Sequence, residues 1–385
     1  MTSRRHRSPS PAALDDDDLL FEILLRLPPQ PSSLPRASLV NKRWRRLASD
    51  PCFLRRFRIH HRRSAPILGC FVERAHGFSF EPTLEAPNRV PPGRFSLRFD
   101  EGDLFSLLNC RHGLVLVHNQ TRGKFLVWDP ITGDQHHLAI PAGFDSKTTE
   151  ISGAVLRARG DVQHFEVVFV CYDYGDIQHG QAEIACVYSS KTSLWGDIIS
   201  TPLLWLSPFD NTISTVHSAV LVGDALYWLA TGDSAEVLEF DLKKNNLAVI
   251  WLPLDVNEEY EFTVIRTYSG ALGFLHVSNF TAQLWERKTD CDGVASWELE
   301  RTIELDKLLS LNTVNRWYPM IIGFAEDNNV VFLLTLGNLF AVQLQSLQLT
   351  NLSQTNITSY CLPFEKVYTG DLGGEPDGVE VLHNA

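Results

Sequence analysis

Beyond about residue 65 the chain offers no long amphipathic helix; short apolar runs alternate with Gly, Asp, Asn and Pro signals, the pattern of consecutive β-hairpins. Leu114 to Val117 and Phe125 to Trp128 form one such pair, and Asp129, Pro130, Thr132 and Gly133 then turn the chain towards His137 and Leu138. The same order recurs at Val220 to Val222 through Pro253, at Ala271 to Val277 through Leu299, and at Ile321 to Ala325 through Leu349. Anchored on Trp128, Tyr188, Phe240, Trp285 and Val342, the copies lie 60, 52, 45 and 57 residues apart, close to the span of a propeller blade plus its loops. Radial closure of such blades protects edges that an open sheet would expose. The expectation is an all-β propeller-like domain over residues 61–385, with about six or seven blades. No repeated Trp-Asp or Gly-His signature is present, and Gly373 with Gly374 is the only Gly-Gly pair, so neither the WD nor the regular kelch subtype is indicated.

Charge divides the chain at the same boundary. Residues 1–63 carry 14 Lys and Arg against 6 Asp and Glu, while the remainder carries 20 against 40. A basic segment joined to an acidic domain suggests an acidic partner for the first and argues against nucleic acid as a ligand of the second. No run approaches the roughly 20 apolar residues of a membrane helix, and no leader is evident. Seven cysteines without a CxxC pair read as reduced core thiols, so a cytoplasmic or nuclear location is expected, with the four Asn-x-Ser/Thr sequons as chance matches.

Residues 1–13, rich in Ser, Pro and Arg, read as a disordered tail whose Arg4, Arg5 and Arg7 are a short cluster for a nuclear signal. Asp15 to Asp18 then favour a helix start, and Leu19, Leu20, Ile23, Leu24 and Leu27 recur at helical spacing until Pro28 and Pro29 stop them. A second helix is expected from Ser33 as cap, with Ala37, Val40, Asn41, Trp44 and Leu47 on one face. Asp50 and Pro51 start a third, with Phe53, Leu54 and Phe57 as its apolar side. Three helices in so short a span bury little surface on their own, so a docking partner is expected.

The segment LDDDDLLFEILLRLPPQPSSLPRASLVNKRWRRLASDPCFLRRF resembles the F-box over residues 14–57. The resemblance implies a three-helix F-box at 14–60 that docks on a Skp-family adaptor and, through it, a cullin-RING ubiquitin ligase. It assigns Leu14, Leu19, Leu20, Ile23, Leu24, Leu27, Pro28, Leu34, Val40, Trp44, Leu47, Pro51 and Phe53 to core or interface. Asp15 stands where the motif usually has proline, and Asn41 where it usually has cysteine. Residues 110–141, CRHGLVLVHNQTRGKFLVWDPITGDQHHLAIP, are similar to the opening of the F-box-associated domains of large plant F-box families, which are held to recruit substrates.

Catalytic signatures are absent: no HExxH, GxSxG, P-loop or dinucleotide glycine motif occurs, and neither cofactor nor catalytic residue is expected. The pairs His60 with His61 and His136 with His137 are poor metal ligands, because neighbours on a strand point to opposite faces. Glu258, Glu259 and Glu261 with Tyr260 are either a site for a basic substrate or a solvated loop. Trp195, Trp205, Trp297 and Trp317, near turns, are candidates for an aromatic binding face, whereas Trp128, Trp228 and Trp285 read as core. The resulting expectation is a ligase adaptor; the rivals are a propeller enzyme or glycan binder capped by helices, and an F-box protein acting outside ubiquitin transfer.

Overall fold

The computed structural model describes residues 16–74, 77–97, 102–141, 144, 151–157, 164–173, 182–202, 212–213, 218–231, 235–253, 260–311 and 317–369. Two compact units emerge, one helical and one all-β. Within the described part, the helical unit holds residues 16–66, a strap of residues 84–90 and residues 366–369. The sequence reading assigns the last two segments to the β domain; packing groups them with the helices.

The helical unit has four helices, α1 (Asp17–Leu25), α2 (Ser33–Ser38), α3 (Lys42–Ala48) and α4 (Pro51–His60). The expected second helix is two, because extended backbone at Asn41 interrupts it and the Asn41 side chain accepts from Trp44 N at 2.9 Å, capping α3. Asp50 caps α4 in the same way, accepting from Phe53 N at 2.9 Å, with Pro51 in the first turn where its missing N–H costs nothing. Asp16 caps α1, while Leu14 and Asp15 lie outside the described residues.

The β unit is a six-bladed propeller, the lower of the two expected counts. Blades 1 to 5 span residues 105–139, 151–202, 212–251, 260–304 and 320–351, each an antiparallel sheet in chain order from its innermost strand outwards. Blade 6 combines both ends of the unit: Cys361–Glu365 is its innermost strand, followed by Ile67–Arg74 and Gly77–Pro82. Phe71 therefore lies opposite Leu362 on one side and Phe80 on the other. An innermost strand has a neighbour on one side only, and this lets it carry Pro363.

Buried side chains fill the six wedges between blades. Phe125 and Phe169, with ring centroids 4.1 Å apart, join blades 1 and 2. Trp228 and Phe240 fill the next wedge, Phe274 the third, Leu275 with Ile321 the fourth, and Cys70 with Phe332 the fifth. The ring closes on aromatics: Phe71 stands 5.6 Å from Trp128 and 5.4 Å from Phe364. Each wedge removes the apolar faces of two sheets from water, the dominant favourable contribution to a fold of this kind.

Candidate functional site

In the helical unit the apolar residues of α1 to α4 and their turns divide into two sets. Leu20, Leu24, Leu34 and Phe53 are buried together with Leu25, Ala37 and Phe57 in the unit's own core. Ile23, Leu27, Trp44 and Leu47 are half-buried, the last three packed against that core, while Pro28 and Pro51 are exposed. Leu19 is 41% exposed, Val40 60% and Leu39 84%. Leu39 is absent from the residues the F-box resemblance singles out; its adjacency to Val40 at the end of α2 is the signal that reveals it.

Arg43 pairs with Asp17 at 2.7 Å, bringing the first turn of α1, which carries Leu19, beside the α2–α3 turn, which carries Leu39 and Val40. Exposed Arg45, Arg46, Arg55 and Arg56 add positive charge to the unit. Exposed aliphatics on a unit with exposed arginines suit a partner that offers an apolar groove and carboxylates.

One end of the propeller is tied together by charge. Arg111, at the end of the innermost strand of blade 1, places Nε 3.1 Å and Nη2 2.6 Å from Glu326 Oε2, and Nη2 also donates to the Ala219 carbonyl of blade 3. Arg266, at the equivalent end of blade 4, donates to the Glu326 carbonyl at 2.9 Å, and Leu221 N donates to Glu326 Oε2 at 3.2 Å. Glu365 accepts from Asp327 N at 3.1 Å and from Asn328 N at 2.8 Å. Burial, reinforced by the charge of Asp327, pushes the Glu365 carboxyl up to about 7.

This network surrounds a cavity of about 40 Å³ lined in part by Asn109, Arg111, Ser218, Thr263 and Cys361. The volume suits a few water molecules. His112 also lines it, but its Nδ1 accepts from Arg157 N at 3.2 Å, so it is held as a structural acceptor. The arrangement therefore ties blades 1, 3, 4, 5 and 6 to one another. At the other end of blade 5, beside the turn at residues 335–338, lies an apolar groove of about 270 Å³ formed by Trp317, Tyr318, Met320, Leu336 and Ile357 among others.

The remaining sequence candidates separate clearly. Trp195 donates its indole N–H to the Ala139 carbonyl at 3.1 Å, and Trp297 donates to the Trp251 carbonyl at 2.9 Å, so both stitch an outer strand to the preceding blade. Trp317 is 62% exposed and edges the groove. Trp205, Glu258 and Glu259 lie outside the described residues, as does the side chain of Tyr260. Glu261 is half-buried and bonds Tyr360; burial raises its carboxyl, and the Tyr360 hydroxyl is pushed up to about 12. His61 is buried, with Nε2 2.9 Å from the Leu25 carbonyl, whereas His60, His136 and His137 are exposed. His136 and His137 stand opposite Val127 and Leu126 on adjacent rungs, so they point to opposite faces. Among the described residues no group of three or more His, Cys, Asp or Glu is disposed to hold a metal.

Comparison with known proteins places this geometry. Residues 106–364 match the family described as F-box protein AT5G49610-like, beta-propeller, and residues 17–60 match the F-box-like family. The Arabidopsis thaliana protein described as F-box protein At5g03970 is 23% identical over 321 residues, covering 78% of this chain and 71% of that protein. Among solved structures, the Cps50 (Swd1) β-propeller domain of Myceliophteria thermophila gives a TM-score of 0.37 at 12% identity, covering 73% of this chain and 87% of that one. The periplasmic gluconolactonase of Pseudomonas aeruginosa gives 0.39 at 14% identity, covering 74% and 80%. Scores this low say nothing about ligand or activity.

Proposed function

Because the chain belongs to the F-box protein AT5G49610-like β-propeller family, we propose that it is a non-catalytic, substrate-recruiting subunit of a Skp–cullin–F-box type ubiquitin ligase. The F-box docks a Skp-family adaptor, the propeller holds a target protein, and other subunits transfer ubiquitin. The chain acts by raising the effective concentration of the target beside the ligase, which requires no catalytic residue of its own. The setting of this work is the cytoplasm, the nucleus or both.

The observation that carries the reading is the division of the F-box leucines. Leu20, Leu24 and Leu34 satisfy the unit's own core, and Leu19, Leu39 and Val40 remain exposed. An aliphatic side chain that is exposed in the free protein gains roughly 1.5–3 kcal/mol when fully buried by a partner, so three of them supply much of a micromolar interface.

Co-purification with a Skp-family adaptor tests this directly. The unaltered chain is expected to retain the adaptor. A Leu39→Asp, Val40→Asp variant is expected to lose it while keeping its circular dichroism spectrum, since both residues project into solvent in the free protein. Retention of the adaptor by that variant at undiminished affinity, or failure of the unaltered chain to bind at all, overturns the ligase reading.

A further inference from the structure

The core of the helical unit contains one residue from far along the chain. Val367, 4% exposed, is packed among Leu20, Leu24, Leu25, Phe53, Phe57 and Ala65. Its neighbours are fastened as well: Arg58 Nη2, on α4, donates to Thr369 Oγ1 at 2.7 Å, and Lys366 N donates to the Pro66 carbonyl at 3.3 Å. Thr369 is itself 2% exposed. The strap completes the unit from a third point, with Asn88 Oδ1 accepting from Ser32 N at 3.1 Å, just ahead of α2.

We propose that residues 366–369 are a working part of the adaptor-docking module: without them the F-box helices do not hold the conformation that binds the adaptor. This rests on the ligase reading given above for its binding readout, although the packing claim stands apart from it. The physical reason is size. A unit of four helices, none longer than ten residues, has little surface to bury, so one valine in its centre and one partly buried bond to α4 weigh more than they would in a large domain.

A functional consequence follows from chain order. Residues 366–369 continue without a break from Cys361–Glu365, the strand that completes blade 6. The F-box helices are made first and are completed only after the whole propeller has been synthesised. Adaptor docking therefore reports that the substrate-recruiting domain is present, and chains that stop short of residue 367 do not occupy the adaptor.

The test compares the intact chain with Val367→Asp, Thr369→Val and the conservative Val367→Ile, by hydrogen exchange and by calorimetric titration with the adaptor. Val367→Asp is expected to raise amide exchange in α1 and α4 by tenfold or more and to weaken adaptor binding by at least tenfold, with the innermost strands of blades 2, 4 and 5 as protected as before. Thr369→Val, which removes only the acceptor for Arg58, is expected to show the same pattern at several-fold, and Val367→Ile to match the intact chain. Unchanged exchange in α1 and α4 for both Val367→Asp and Thr369→Val overturns the proposal, as does full adaptor affinity in Val367→Asp. If the intact chain binds no adaptor, the ligase reading falls, while the exchange data still decide whether residues 366–369 hold the helices.

Discussion

Asn41 and Arg111 show how much a single side chain decides here. By sequence Asn41 is a departure from the F-box pattern; in the fold its amide oxygen caps α3 and explains why the chain breaks between Ser38 and Lys42. Arg111 supplies the cation that keeps the mostly buried Glu326 carboxylate paired. Replacing it with methionine leaves that carboxylate with the Leu221 N–H at 3.2 Å and with the Arg266 cation at the longer distance of 3.6 Å. Removing one partner of a buried ion pair costs about 3–5 kcal/mol, and the remaining Arg266 sets the expectation at the lower end. Urea denaturation of Arg111→Met should show this loss, and an Arg111→Met, Glu326→Leu double variant should recover most of it, because the uncompensated charge is then gone. A single-variant loss below about 1 kcal/mol would mean that the pair is a surface-like contact.

At the scale of elements, the closing strand depends on a glycine in the blade beside it. A Cβ on Gly323, in the innermost strand of blade 5, would sit 2.8 Å from the Cys361 carbonyl and 3.1 Å from its Sγ, so these two strands approach closely only because residue 323 has no side chain. Gly323→Val should therefore disturb blade 6 more than any other blade and cost about 1–3 kcal/mol, the usual range for overpacking. Amide exchange resolved by strand checks it; equal loosening of blade 2 and blade 6 would sink the explanation. The turns before the outer strands show the opposite use of the backbone. Gly133, Ser193, Asn245, Gly293 and Leu347 all adopt positive φ at the same place in blades 1 to 5. In four of them this residue falls five positions after the sequence anchor. In blade 4 the third strand runs on to Thr289, which is why Trp285 breaks the otherwise regular offset.

For the whole molecule, two buried groups give stability opposite pH dependences. Glu365 titrates at about 7 in the fold against an ordinary value of 4.5, so between those values the folded chain keeps a proton that the unfolded chain releases. Its contribution is complete below pH 4.5 and is lost as the pH rises through 7. His118, stacked on Phe125 with ring centroids 4.3 Å apart, is held neutral by burial and driven down to about 4. Its contribution is complete above 6.5 and is lost as the pH falls through 4. In urea, Glu365→Gln should fall closer to the unaltered chain at pH 6 than at pH 8, with the variant gaining relative stability as the pH rises. A stability difference that is the same at both values would rule out Glu365 as the titrating group. Arg111, Arg266, Glu326 and Asp327 belong to the same network, and burial raises the Asp327 carboxyl as well.

Local patterning determined the class of each part. Period-two apolar runs between turn residues fixed an all-β domain, and proline and Asx signals placed the starts of α1 and α4, because hairpin turns and helix caps are satisfied within a few residues. The F-box leucines were legible as a set, yet their division into core and exposed faces was not, since helical spacing alone does not say which neighbour covers a stripe. The joining of Ile67–Arg74 to Cys361–Glu365, the pairing of Arg111 with Glu326, and the seat of Val367 among the F-box helices were decided only by the tertiary structure. Each links residues hundreds of positions apart, and nothing in a local pattern records which distant strand, charge or core will complete it.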